Sequence, residues 1–320
     1  MSGSLRRYRA QLWWLAGLAA FFGFIGFYAL LTPALWREPL AFFRYLVENA
    51  LDFSRWKNYV RFRGQTYLLG KDRLPRIYLP YMIAATTPLW VLFLCAAGQL
   101  GALKSWKKGI GRSDRALGLL LCTLLWLLPL GAAVAAGATV YNGWRHFYFL
   151  YGPMLVLAAY GLHGLYRLMA GKRLARRLLT VLLSLCMALT GVGIVTQHPY
   201  QYAYEQPLVR LLTGQDDLER DYWNVSVLNA LETLAGQTDG KIVIAPADLW
   251  AQAGLENALY VMEPGLRERF SMAEEPDGAE YVLSNPTYTL FSGWEPSEEQ
   301  EEAVIIRAYG RTLMRIDRHR

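Results

Sequence analysis

The sequence predicts a mainly α-helical membrane protein: five transmembrane helices, an interfacial helix and loop after the first, and a small α/β soluble domain at the C-terminus. Three observations predict it. Five apolar runs approach or exceed the roughly 20 residues that cross a hydrocarbon core. Charge changes sign at residue 197, with +18 on residues 1–196 and −11 on residues 197–320, a split that the net +7 conceals. Alternating strand patterns bounded by turn residues occur only in the last third of the chain.

The runs lie at about 11–31, 80–103, 117–140, 147–166 and 178–196. None contains Asp, Glu, Lys or Arg, and only the fourth has a histidine, His163. In lipid the backbone must satisfy its own polar groups, so each run is expected to be a helix. The first follows Arg6, Arg7 and Arg9 but lacks a small-residue cleavage site, which favours an uncleaved anchor over a signal peptide. Cys95, Cys122 and Cys186 all fall within apolar runs, where cysteine behaves as a small hydrophobe. The cations of the first two-thirds belong among lipid headgroups, so no nucleic-acid partner is expected.

Orientation follows from the short loops. Lys104, Lys107, Lys108, Arg112 and Arg115 fill the second connection, and Arg167, Lys172, Arg173, Arg176 and Arg177 fill the fourth. With the N-terminal arginines these make 13 cations opposed by Asp114 alone. That side is expected to be cytoplasmic, which makes residues 1–196 a transmembrane domain of the cell membrane and residues 197–320 an extracytoplasmic domain. The external loop 32–79 runs against the rule, with nine cations and four acids. Pro39 opens an amphipathic helix there, with Leu40, Phe43, Val47 and Leu51 on one face, as in helices that lie in the interface. Arg55, Lys57, Arg61, Arg63, Lys71, Arg73 and Arg76 follow it.

In the tail, Asn224 is expected to cap a helix ending near Ala235, with Gly236 as its stop. Residues 241–245 (KIVIA) and 279–284 (AEYVLS) read as strands, and Asp248 as the cap of a helix through Tyr260. Residues 303–307 and 312–317 read as a hairpin turning at Tyr309-Gly310. Residues 295–302 read as a solvated acidic loop.

Signatures for nucleotide, zinc and acyl-transfer chemistry are absent. No cofactor is indicated; a divalent cation is compatible with the chain but not indicated by any cluster. Three aromatic and polar clusters stand at the external ends of the spans: Tyr141-Asn142-Gly143-Trp144-Arg145-His146, His198-Pro199-Tyr200-Gln201-Tyr202 and Arg220-Asp221-Tyr222-Trp223-Asn224. Each also reads plainly, as an aromatic belt with a snorkelling arginine or as a helix cap. Charge-free spans disfavour a transporter.

The segments ALWREPL, LPRIYLPYMIAATTPL, YNGWRHFYFLYGP and HPYQYAY, followed by the Asp-Tyr-Trp before the tail, resemble in order the second half of bacterial membrane glycosyltransferases. The type is that of the protein mannosyltransferases, which share the GT-C fold with the aminoarabinose transferases. The resemblance implies a sugar donor on polyprenyl phosphate, held by membrane lipid, and an acceptor outside the cytoplasm. It places Arg145, His146, Arg76, Tyr141 and Asn142 at the lipid phosphate. His198, Tyr200, Asp221 and Trp223 are then candidates for acceptor binding or domain docking. The family's catalytic acid sits in a first external loop that nothing in this chain matches. The resemblance therefore implies half of an enzyme, either a truncated product or one partner of a second chain carrying the other half, and no catalytic residue is identified. The competing reading is a non-catalytic scaffold anchoring an acidic external domain.

Overall fold

The computed structural model of the protein describes residues 3–51, 59–107, 113–138, 140–215, 217–297 and 300–319. Asp52, Arg55, Lys57, Lys108 and Arg112, and the side chains of Arg6, Arg7, Arg9 and Leu51, lie outside the described part. Among the described residues five helices are long and apolar enough to cross a membrane, and a small sheet occupies the C-terminal region. The chain divides into two compact units, Met1–Trp56 and Lys57–Arg320.

The first unit is helical: α1 (Gly3–Leu31), α2 (Pro33–Arg37) and α3 (Pro39–Leu51). Pro33 and Pro39 each stand at a first helical position, where a missing N–H costs nothing. Trp36 Nε1 donates back to Ala29 O, and the Tyr28 and Phe42 rings lie 6.4 Å apart. Leu40, Phe43 and Val47 on α3 are exposed, so its apolar face has no cover within the unit.

The second unit opens with a hairpin absent from the sequence reading, β1 (Tyr59–Phe62) and β2 (Gln65–Leu68). Its turn, Arg63-Gly64, has φ of 51° and 74°, the left-handed pair that tight hairpins require. Next come α4 (Tyr78–Thr86), α5 (Leu89–Trp106), α6 (Asp114–Ala136), α7 (Tyr151–Leu168) and α8 (Arg173–Thr196). The run 80–103 is therefore two helices rather than one. Pro88 lacks an N–H and forces the preceding Thr87 into extended backbone, at φ −104° and ψ 132°, which ends α4. The run 147–166 is likewise composite, because a 3-10 turn (Arg145–Leu150) leads into α7. Helices α5 and α7 cross in backbone contact: a Cβ on Gly98 would lie 1.8 Å from Leu157 O, and one on Gly161 2.1 Å from Leu94 O. Small residues at a crossing permit this approach where water drives nothing together.

The tail holds α9 (Pro207–Leu212), α10 (Ser226–Gln237), β3 (Ile242–Pro246), α11 (Leu249–Val261), α12 (Pro264–Arg267), β4 (Phe270–Met272), β5 (Tyr281–Ser284), α13 (Pro286–Ser292), β6 (Gln300–Ala308) and β7 (Arg311–His319). The sheet order is β4-β3-β5-β7-β6; β3 is parallel to β4 and β5, and β7 antiparallel to β5 and β6. Val227, Leu231 and Leu234 of α10 pack with Ile242, Ile244, Leu283 and Ile316 of the sheet in one apolar core. The hairpin turn at Tyr309-Gly310 is present, at φ 51° and 76°. The acidic loop is shorter than its sequence implies, because β6 begins at Gln300.

One cap forms as its sequence implies and one does not. Asp248 accepts from the amides of Trp250 and Ala251, both at 2.8 Å, and so starts α11. Asn224 caps nothing: its φ is 53°, and its amide donates to Trp250 O at 2.8 Å. Asp221 serves α10 instead, accepting from Val225 N at 2.8 Å and Ser226 N at 3.2 Å. Gly236 lies inside α10 rather than ending it. Asp248→Ala is expected to cost about 1 kcal/mol, read as a lowered midpoint in thermal unfolding of the full chain.

Candidate functional site

The break between α4 and α5 organises the site. Ending α4 at Thr86 leaves its last carbonyls without helical donors, and such groups need partners when buried. The tail supplies them from one residue: Gln206 donates its backbone N–H to Ala85 O at 2.8 Å and its side-chain amide to Ala84 O at 2.6 Å. The two threonines of the break are also engaged. Trp144 Nε1 donates to Thr86 Oγ1 at 2.8 Å, and Thr87 Oγ1 lies 3.4 Å from the Tyr151 hydroxyl.

The turn that carries Trp144 is seated on α4. Asn142 and Gly143 take left-handed backbone, φ 53° and 73°, and the Gly143 amide donates to the Tyr78 hydroxyl at 3.1 Å. Tyr141, Asn142 and Trp144 are buried, Arg145 is half-buried and His146 is exposed. The Arg145 guanidinium lies 5.1 Å from the Tyr141 ring, 5.8 Å from Tyr222 and 5.3 Å from Trp223. Cation–π attraction of this kind ties the turn to the tail. His146 stands against Tyr141, ring centroids 4.8 Å apart.

Residues 218–220 lead toward Tyr222 and Trp223 of this cage as irregular backbone, and Asp221 is left-handed at φ 48°. Leu218 bridges to Phe62 of β1, and Arg220 fixes the segment from the other side. Arg220 is only 2% exposed and donates Nε to Glu205 Oε1 at 2.8 Å, with further bonds to the carbonyls of Gln215 and Leu218. Asp221 is fully buried and takes the Tyr202 hydroxyl, the Ser226 hydroxyl and two amides. Burial raises its carboxyl above the usual carboxylate range, and those four donors offset only part of that rise.

Glu219 differs from both neighbours. It is 7% exposed, and neither carboxylate oxygen has a hydrogen-bond partner of ordinary geometry. The backbone amides of Arg61 and Asn142 favour its ionised form, and Arg145 adds positive charge. Burial outweighs all three and raises its pKa to about 8.

Two cavities meet here. A groove of about 1220 Å³ runs between α5, α7, the C-terminal half of α8 and the tail. Its lining is apolar at Leu89, Trp90, Phe93, Leu189 and Ile194, and Arg210, Tyr309 and Gln201 add polar groups to it. Helix α8, which has no fully buried residue, contributes Cys186, Leu189, Gly193 and Ile194 to it. Arg210 donates Nη1 to Tyr309 O at 2.9 Å, while its Nε is buried without a hydrogen bond. The second cavity, about 50 Å³, holds Glu219, Asp221, Glu205, Asn142 and Tyr222. Thr86, Tyr148, Tyr202 and Tyr204 line both, so the two cavities are neighbours.

The sequence candidates are thus only partly gathered. Arg145, His146 and Tyr141 meet Trp223 around the aromatic cage, and Asn142 and Asp221 line the small cavity. Arg76 lines a third, separate cavity with Leu79 and Val140. Tyr200 is buried in the tail core, where its hydroxyl accepts from Asn229 at 2.8 Å, and His198 is exposed beside Gln201. Sequence reasoning missed Glu219, Arg210 and Gln206. Glu219 lies in Gln-Asp-Asp-Leu-Glu-Arg-Asp, which reads as a solvated charged stretch. Its only signal is the next residue, Arg220, at the head of an aromatic cluster. Among the described residues no three His, Cys, Asp or Glu side chains gather as a metal ion requires. No family model matches the chain, and neither the curated proteins nor the solved structures compared with it return a match.

Proposed function

We propose that the protein is a membrane glycosyltransferase that takes its sugar from a polyprenyl-phosphate donor and passes it to an acceptor outside the cytoplasm. The N-terminus is cytoplasmic, α1 and α5–α8 cross the cell membrane, α3 lies in the interface, and the tail is extracytoplasmic. The observation that carries this reading is the groove. A cavity of about 1220 Å³, apolar along candidate spans and lined also by the cation Arg210, has the size and chemistry to take a prenyl chain joined to a phosphate. Irregular backbone at a membrane's depth is tolerated where it lines a cavity, and the α4–α5 break does so through Thr86, Pro88 and Leu89. Arg210, with an uncommitted buried Nε, is the group placed to meet the phosphate, and Arg145 raises the positive potential nearby.

Photoreactive polyprenyl phosphate, added to the full chain in lipid vesicles, tests the reading. Saturable labelling of the groove is expected at Leu89, Phe93 or Ile194, competed by unlabelled polyprenyl phosphate. Arg210→Gln is expected to weaken it about tenfold or more, the value of one charge-assisted contact. Labelling that does not saturate, or that ignores Arg210, favours the scaffold reading instead.

A further inference from the structure

We propose that Glu219 is the proton acceptor of this glycosyl transfer, the catalytic carboxylate that the chain otherwise lacks. The inference rests on the donor reading of the groove and adds the residue that does the chemistry.

Buried carboxylates are normally paired, and an unpaired one persists only where something compensates for its cost. Three acids line the small cavity, and the other two have structural employment. Glu205 holds Arg220, and Asp221 holds Tyr202 and the start of α10. Glu219 is met by the amides of Arg61 and Asn142 and by no side-chain donor of ordinary geometry, and the chain on either side of it is held through Leu218 and Arg220. It lines a cavity with room for a few water-sized groups, next to the groove that would take the donor and sharing Thr86, Tyr148, Tyr202 and Tyr204 with it.

The surrounding charges suit the task. Arg61 on β1 and Asn142 and Arg145 on the turn favour the carboxylate. Tyr78 on α4, Tyr222 beside it and Tyr288 on α13 feel its charge, and Glu205, Arg220 and Asp221 complete the wall. A base that titrates near 8 keeps a usable ionised fraction at neutral pH and still binds a proton firmly. In the step itself the acceptor's hydroxyl oxygen bonds to the anomeric carbon, and its proton passes to a Glu219 oxygen. The bond from that carbon to the phosphate oxygen breaks, its electron pair stays with the phosphate, and polyprenyl phosphate leaves. Glu219 then returns the proton to water.

The experiment uses the full chain in vesicles with radiolabelled polyprenyl phosphomannose, phosphoglucose and phosphogalactose, and water standing in as the acceptor. Glu219→Gln is expected to cut sugar release by about 100-fold to 10,000-fold, with photoreactive polyprenyl phosphate labelling unchanged. Wild-type release should rise with pH and level off at or above 8, and the Gln variant should lose that dependence. Thermal unfolding separates a structural role. The folded state holds this proton more tightly than the unfolded chain, so the group favours folding below the ordinary carboxylate range. That contribution is lost as pH rises through about 8. The Gln variant, which cannot ionise, should therefore match wild type near pH 5 and outlast it near pH 9. A Gln variant less stable than wild type at both makes Glu219 structural and overturns the assignment. Normal release by a labelled Gln variant, or labelling of wild type without release of any of the three sugars, overturns it too. Absence of labelling in wild type removes the donor reading itself.

Discussion

Gly98→Ala separates α5 from α7. The added methyl carbon would sit 1.8 Å from Leu157 O, with the Leu157 carbonyl carbon at 2.6 Å and Gly161 N at 3.1 Å, and all three are backbone atoms that no rotamer change can move aside. Relief requires the helices to part by more than an ångström along a contact that includes Leu94, Leu157 and Ala158 in the core. Overpacking ordinarily costs 1–3 kcal/mol, and the rigidity of the obstruction puts this case at about 3 kcal/mol or above. Gly161→Ala meets the same obstacle from the other side, with Leu94 O at 2.1 Å. Once one methyl has forced the helices apart the second meets less resistance, so the double variant should cost well under the sum of the two. Unfolding of the three variants in detergent checks both statements; additive losses would show that the crossing is not shared.

Glu205→Ala loosens the tail from the helices. Glu205 is 4% exposed, binds Arg220 through Nε at 2.8 Å and Nη2 at 2.7 Å, and lies 3.8 Å from Arg311 Nε. Removing it strands two cations in a buried place, and breaking such a pair costs about 3–5 kcal/mol. Its neighbour Gln206 is the cap of α4, so the damage reaches the groove. Limited proteolysis of the full chain should show faster cleavage in residues 197–225. Replacing both members of the closer pair, Glu205→Met with Arg220→Met, should recover part of the loss, because only Arg311 is then left without its carboxylate.

The five long helices were legible because the thickness of a bilayer imposes a length on sequence, and the tail's β3, β5 and terminal hairpin because turn residues bound them. What escaped depended on partners remote in sequence. Pro88 sits in an apolar run that reads as continuous, and only the folded chain reveals that Gln206 allows the helix to stop there. Asn224 has the right side chain for a cap, but the Trp250 carbonyl claims it. Of the candidate site, the aromatic clusters around Arg145, Tyr202 and Trp223 could be found, since their composition is unusual for helix ends. Glu219 could not: a carboxylate among five charged residues in seven looks solvated until Leu218 and Arg220 turn inward on either side of it.

The cap on α4 has a bearing on biogenesis. Ala84 and the amide that completes it are 122 residues apart. While the chain is being made, the end of α4 emerges long before its partner, so the membrane portion passes through a stage with bare carbonyls at Ala84 and Ala85. Closing that gap falls to a segment made 122 residues later. Maturation of the bundle is thereby made contingent on arrival of the segment that leads into the C-terminal domain, and a product halted before residue 206 would carry a defect that surveillance proteases can detect.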